Sequence, residues 1–437
     1  VSVTAVVGGH WGDEGKGKVV DTLAAEMDMV IRFNGGANAG HTIVSDKGTF
    51  RLHLVPSGVL HSRVTCLIGP GVVVTPEVLL EELALLERHG VATSNVLVSN
   101  RAHIVFPHHV RLDVAEEESR GAAQLGTTRQ GIWPAYADKA GRVGIRIGDL
   151  LHPEFLVTQV RRQVDRAHRW LAGARAAAGE VAQVLADADA VLESCHRWAE
   201  ALSGRIVDSH LLVQRALRAG ARILLEGHLG VMRDLDWGVY PYVTSSTCLP
   251  GGAAAGAGIP AARITRVVGV LKAYTTAVGA GPFPTELKDE IGDHLRQAGA
   301  EFGATTGRPR RCGWFDAVAA RFAAEVAGFT ELAVMKLDVL SGMETVRICT
   351  AYRHRGQTLD GVPDTATMHE VEPVYETLPG WTLPDRLRGP EDLPAPARLF
   401  LDRLAALTGA PVAMIGVGPR REDLLHLGPR EGSEARR

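Results

Sequence analysis

The densest chemistry in the chain lies in the run Gly8-Gly-His-Trp-Gly-Asp-Glu-Gly-Lys-Gly-Lys18. A glycine-rich turn between a strand and a helix exposes several backbone N–H groups at a helix N-terminus, where a phosphate can be held. Gly12-x-x-x-x-Gly17-Lys18 fits the phosphate-loop pattern, except that Val19 stands where Ser or Thr usually offers a hydroxyl to magnesium. Asp13, inside the loop, is the candidate to make that contact instead. A second glycine-rich segment, Asn34-Gly-Gly-Ala-Asn-Ala-Gly-His-Thr42, carries Asn38 and His41 on a backbone that can approach a ligand closely. A lone histidine is more often structural, but one that follows Gly40 at the expected ligand-binding edge reads as functional.

These residues need a scaffold, and the pattern of apolar runs supplies one. Strands are expected at Val3–Val7, Met29–Phe33, Val64–Ile68, Val96–Val98, Ile223–Leu225, Leu332–Leu337 and Pro411–Ile415. Helices are expected at Val19–Glu26, Glu77–His89 and Phe315–Ala327, with a helical section over 155–203 rich in Ala, Arg, Glu and Leu. Short strands alternating with longer helices indicate an α/β fold, a mainly parallel central sheet flanked by helices. No linker or repeat divides the 437 residues, so one domain over 1–437 is expected, with a disordered tail at 430–437.

Net charge is −3, which offers nothing to a polyanion, and Arg308-Pro-Arg-Arg311 is too short and isolated for a nucleic-acid patch. No run approaches the ~20 apolar residues of a membrane helix. Five scattered cysteines without a Cys-x-x-Cys pair fit a reducing cytoplasm better than disulfides or zinc. The expectation is a cytoplasmic protein with no nucleic-acid or membrane partner.

Together with Gly-Asp-Glu-Gly-Lys-Gly-Lys, the Asn34–Thr42 segment makes the chain resemble the adenylosuccinate synthetase family. The likeness runs on through His53–Leu60, Val239–Ser246, Gly281–Glu286, Gly303–Trp314, Lys336–Leu340 and Glu372–Trp381. It implies a phosphate-loop type fold, a homodimer, and a GTP-dependent ligase that joins L-aspartate to the 6-oxo position of an IMP-like purine nucleotide. The reaction would run through a 6-phosphoryl intermediate and yield adenylosuccinate or an analogue, GDP and phosphate. By resemblance, Asp13 takes the base-ring proton and contacts Mg2+, whose shell the Gly40 carbonyl completes. His41 would donate to the bridging oxygen of GTP, and Lys16 would stabilise the migrating phosphoryl group. Gly12, Glu14, Gly15, Gly17, Lys18 and Thr42 would contact GTP. Lys336, Leu337 and Asp338 would read guanine with help from Gly416, Val417 and Gly418. Thr305, Thr306 and Arg308 would take aspartate, with Arg310 bridging towards GTP. Asn38, Thr128 and Thr244 would hold the acceptor's 5′-phosphate together with Arg142 from the partner subunit.

The base end departs from the family pattern. Leu229 replaces a glutamine expected beside the 6-oxygen, and His228 stands where alanine is usual. Arg129, Gln130 and Trp133 are unusual in their segment, His10 replaces a glutamine, and Ala277 an arginine. Clustered beside an intact phosphate grip, these changes favour a paralogue acting on a modified purine-like nucleotide in nucleoside secondary metabolism. The alternative is drift in a housekeeping enzyme, with His228 or Gln130 replacing the lost amide. A non-catalytic nucleotide-binding regulator fits less well, because Asp13, Lys16, His41, Arg308 and Asp338 are all retained.

Overall fold

The computed structural model describes residues 3–38, 40–45, 47–173, 188–303, 307–387 and 389–427. Its frame is a ten-stranded sheet in which β1 (Val3–Gly8) lies near the centre, between strands Ile223–Gly230 and Ile264–Lys272. Beyond Ile223–Gly230 come β2 (Met29–Arg32), Thr65–Ile68, Val96–Ser99 and Ile206–Val207. Beyond Ile264–Lys272 come Glu331–Met335, Val412–Gly416 and Leu424–His426. Neighbouring strands are parallel except the last pair, Val412–Gly416 with Leu424–His426.

Continuous apolar runs suit strands covered on both faces. Alternate residues of β1 feed two cores: Val6 packs with Val30, Leu224 and the helix residues Val19 and Val20. Val3, Ala5 and Val7 face the other way, onto Ile31, Leu225 and Phe315. All seven expected strands are in the sheet. Three others were not expected. Ile206–Val207 and Leu424–His426 are short edge elements, and Ile264–Lys272 is interrupted by Gly269. That glycine is required by close packing, since a Cβ there would lie 2.4 Å from the Phe329 ring.

The first helix, α1 (Lys16–Ala24), begins three residues before the expected Val19, because Gly15 takes φ 92° and caps it. Helix Pro76–Arg88 agrees with expectation. Helix Ala317–Ala327 starts after a two-residue strand, and the Asp316 side chain caps it by accepting from the Ala319 N–H at 3.0 Å. The expected helical section is represented by Pro153–Gly173 and Ala188–Leu202; residues 174–187 and the tail 430–437 lie outside the described residues. No described helix is long and apolar enough to cross a membrane.

Leu224 has no solvent exposure and sits at the centre of one core. Leu224→Ala is expected to cost about 2–5 kcal/mol of unfolding free energy, measured by chemical denaturation; a loss within experimental error would contradict this account of the core.

Candidate active site

In parallel α/β sheets, ligands bind beyond the carboxyl ends of the strands. Here the loops after β1, β2, Ile223–Gly230, Glu331–Met335 and Val412–Gly416 open on one cleft of about 890 Å³.

The loop after β1 is shaped from within. Gly12 and Asp13 take φ 97° and 60°. Glu14 turns away from the cleft, and its carboxylate accepts from the backbone N–H of Gly12 at 2.8 Å, from that of His10 at 3.2 Å and from Lys16 Nζ at 2.6 Å. At 1% exposure its side chain is the loop's internal brace, which leaves only its backbone to meet a nucleotide. Strand Ile223–Gly230 closes on the same loop. A Cβ on Gly230 would stand 2.3 Å from the His10 carbonyl oxygen.

Asp13 projects to the cleft, where Arg310 Nε donates to its Oδ2 at 2.9 Å. Arg310 Nη1 reaches Glu301 Oε2 at 2.7 Å. Glu301 has no exposure and also accepts from Lys272 Nζ at 2.8 Å, Lys336 Nζ at 2.9 Å and Tyr274 OH at 2.6 Å. Burial alone would raise the Glu301 carboxyl; the charges of Lys272, Lys336 and Arg310 outweigh it and hold the group well below the carboxylate range. Burial also brings the Lys272 ammonium down to about 8.

The structure gathers most of the expected residues on the cleft wall: Asp13, Gly15, Lys16, Gly17, Lys18, Asn38, Gly40, His41, Thr42, Thr128, Leu229, Thr244, Arg308, Arg310, Lys336, Asp338 and Gly418. Asn38 Oδ1 and Asp338 Oδ1 are buried without a protein hydrogen-bond partner. Lys336 takes the left-handed φ of 59° just before the short turn Leu337–Leu340 that presents Asp338. Arg308 Nη2 donates to the Gly126 carbonyl at 2.9 Å, beside Thr128. His41 Nε2 lies 3.0 Å from the Val55 carbonyl, to which it must donate. Burial, with the Arg32 charge next, lowers that imidazole to about 3, so it is neutral.

Other expected residues are placed differently. Gly12, Leu337, Gly416 and Val417 do not line the cleft: Leu337 is fully buried and Val417 packs against the core. Arg142 is exposed, with φ 61°, and lies off the cleft of its own chain. Thr305 and Thr306 lie outside the described residues. Sequence reading missed Arg32, Glu226, Arg233, Lys272 and Glu301. Arg32, Glu226 and Lys272 share a legible signal, a charged residue closing an apolar strand run.

One further group has metal-ligand composition, His108, His109 and Asp138. His109 Nδ1 accepts from the Phe106 N–H at 3.0 Å, which puts the ring proton on Nε2, facing Asp138 at 3.0 Å. No lone pair of that ring remains for a cation.

The adenylosuccinate synthetase family model matches residues 5–425. The chain is 51% identical to the adenylosuccinate synthetase of Moorella thermoacetica, over 98% of this chain and 99% of that one. It is 48% identical to that of Pelotomaculum thermopropionicum over 97% and 99%. The solved structure of fully ligated adenylosuccinate synthetase from Plasmodium falciparum superposes with a TM-score of 0.89 at 36% identity, covering 98% of this chain and all of that one. A cyanophage S-2L succinoaminodeoxyadenylate synthetase, 22% identical with a TM-score of 0.60, shares the fold. The chain belongs to the adenylosuccinate synthetase family. These are C–N ligases of purine biosynthesis that use GTP to join L-aspartate to inosine monophosphate.

Likeness at this level over nearly the whole chain favours inosine monophosphate as acceptor, and the paralogue with a modified base is not favoured. The departures from the family pattern have structural places of their own. Ala277 is buried in an apolar cluster with Trp11 and Phe283. Trp133 lines the cleft and packs at a tilt against Trp170, ring centroids 5.8 Å apart. The ring of His228 is buried over Gly35, with neither nitrogen paired in the protein.

Lys18 Nζ donates to the Gly418 carbonyl at 2.8 Å, and burial lowers its ammonium to about 8, partly offset by Asp423 and Asp338. Below that pH the charge is present for a nucleotide phosphate; above it the charge is lost. The kcat/KM for GTP is therefore expected to fall as pH rises through about 8. Lys18→Arg, whose charge persists, should move that limb upward. An unmoved limb in a steady-state pH profile would remove Lys18 from this role.

Proposed function

We propose that this chain makes adenylosuccinate with its own Asp13, Lys16 and His41 as the reacting set. The γ-phosphoryl group of GTP passes to the 6-oxygen of inosine monophosphate as the N1 proton moves to Asp13. The amine of aspartate then attacks C6, the C6–O bond breaks, inorganic phosphate leaves, and the nitrogen loses a proton. The observation that carries this reading is Asp13 itself. It is a carboxylate at positive φ on a phosphate-binding loop, ion-paired to Arg310 at 2.9 Å and open to the cleft. A carboxylate that faces the cleft from this loop suits proton abstraction.

Lys16, braced by Glu14, is placed for the migrating phosphoryl group. His41 serves the bridging oxygen once its ring turns from the Val55 carbonyl. Asp338, with an unpaired buried oxygen, accepts from the paired donors of guanine, and adenine offers no such pair. Asn38, Thr128 and Thr244 hold the acceptor phosphate, and Arg308, with Thr305 and Thr306, takes aspartate. The hard oxygens of Asp13 and the Gly40 carbonyl fit Mg2+. Bound there, the ion would neutralise phosphate charge. Arg142, exposed and off its own cleft, would complete the partner subunit's phosphate site in a homodimer, the whole chain acting as one catalytic unit.

With Mg2+, GTP and aspartate, phosphate release should depend on added inosine monophosphate. Equal release without it would sink the ligase reading. Asp13→Ala should lower kcat by about 10²–10⁴ and His41→Ala by about 10²–10³, with circular dichroism unchanged. Near-normal turnover in either variant would refute its role.

A further inference from the structure

Glu301 lies behind the cleft wall, and its polar partners join the phosphate-loop side, the guanine end and the central sheet. Arg310 leads to Asp13 and the phosphate loop, with Nη1 on Glu301 Oε2 at 2.7 Å and Nε on Asp13 Oδ2 at 2.9 Å. Lys336 leads to the guanine end, where its Nζ bonds both the Gly299 carbonyl and Glu301 Oε1. Its backbone holds the left-handed conformation that precedes Asp338, and such a conformation in a side-chain-bearing residue persists only where the surroundings enforce it. Lys272, at the end of a central strand, anchors the carboxylate to the sheet, with Nζ 2.8 Å from each Glu301 oxygen and from Thr276 Oγ1. Tyr274 OH donates the remaining bond at 2.6 Å. The backbone is tied as well, since the Arg310 N–H donates to the Glu301 carbonyl at 2.8 Å and closes the base of the 303–310 loop.

We propose that Glu301 is a positioning residue which, without touching any substrate, sets Arg310 against Asp13 and Lys336 behind Asp338, so that GTP and aspartate recognition depend on one buried carboxylate. This rests on the roles proposed above for Asp13 and Asp338, and on Arg310 bridging from the aspartate-binding residues towards GTP as the family resemblance implies. The acceptor-phosphate residues Asn38, Thr128 and Thr244 make no contact with the group, so their grip should be independent of it.

Two variants test this. Glu301→Gln leaves three cations around a neutral amide and is expected to raise KM for GTP and for aspartate about tenfold each, with KM for inosine monophosphate within about twofold of wild type. Because an uncompensated buried Lys272 can prevent folding, the second variant is Glu301→Gln with Lys272→Met, which removes both buried charges. If Glu301 only neutralised Lys272, the double variant would recover wild-type constants, and the proposal would fall. If Glu301 positions Arg310 and Lys336, the double variant keeps the raised KM for GTP and aspartate. A uniform drop in kcat with all three KM values unchanged would also overturn the proposal. Wild-type turnover, run alongside, tests the ligase reading separately: its absence defeats that reading, whereas an altered KM pattern in the variants bears only on Glu301.

Discussion

The catalytic loop keeps its shape because one carboxylate faces the wrong way for a ligand. Glu14 sits under the loop, 1% exposed, and takes hydrogen bonds from the backbone of His10 and Gly12 and from the ammonium of Lys16. Buried N–H groups left without an acceptor would cost about 1–3 kcal/mol each. With Glu14 present, the loop can instead hold Asp13 at positive φ with its carboxylate in the cleft. Gly230, pressed on the His10 carbonyl, fixes the same loop from the neighbouring strand. Positioning therefore begins in the sheet and reaches the reacting atoms through two short contacts.

From Asp13 the charges run inward in alternating sign: Asp13, Arg310, Glu301, then Lys272 and Lys336. An isolated buried ammonium or carboxylate would be strongly disfavoured, and the alternation makes each tolerable. Lys16, Lys18 and Arg308 line the same cleft outside this chain of charges. Apolar residues are interspersed with the charged ones along the lining, Leu229, Ile132 and Trp133 on one part and Met335 and Val339 flanking Lys336 and Asp338 on another.

The apolar runs disclosed seven of the ten sheet strands, because a strand buried on both faces leaves a nearly unbroken apolar signature. Ile264–Lys272 escaped because Gly269 interrupts its run, although that glycine is there to admit the Phe329 ring. In the site, residues on glycine-rich turns were legible, since glycine and a charged neighbour are read together. Glu14 was legible as part of the motif but not in its orientation, which only the packing of Gly230 and His10 against it decides. Glu301 and Arg233 were not legible. A single charged residue between turns resembles a solvated one until the fold surrounds it with partners, and Arg233 donates to the carbonyls of Tyr242 and Val278 from within the molecule.

The same division explains why unusual residues at the base end coexist with family membership. The loop after β1 is held by contacts behind the cleft wall, from Glu14 and Gly230. Leu229 holds a left-handed backbone at φ 59° and lies against Gly12, so its backbone placement belongs to the frame while its side chain faces the cleft. A leucine side chain there leaves Glu14, Asp13 and Gly230 in place. His228 keeps its backbone locked too, donating its N–H to Asn34 Oδ1 at 2.9 Å and accepting on its carbonyl from the same amide. Side chains at this strand end can therefore change without disturbing the backbone bonds that hold it. Changes around Leu229 consequently alter what faces the cleft at this strand end, while the loop that carries Asp13 keeps its backbone.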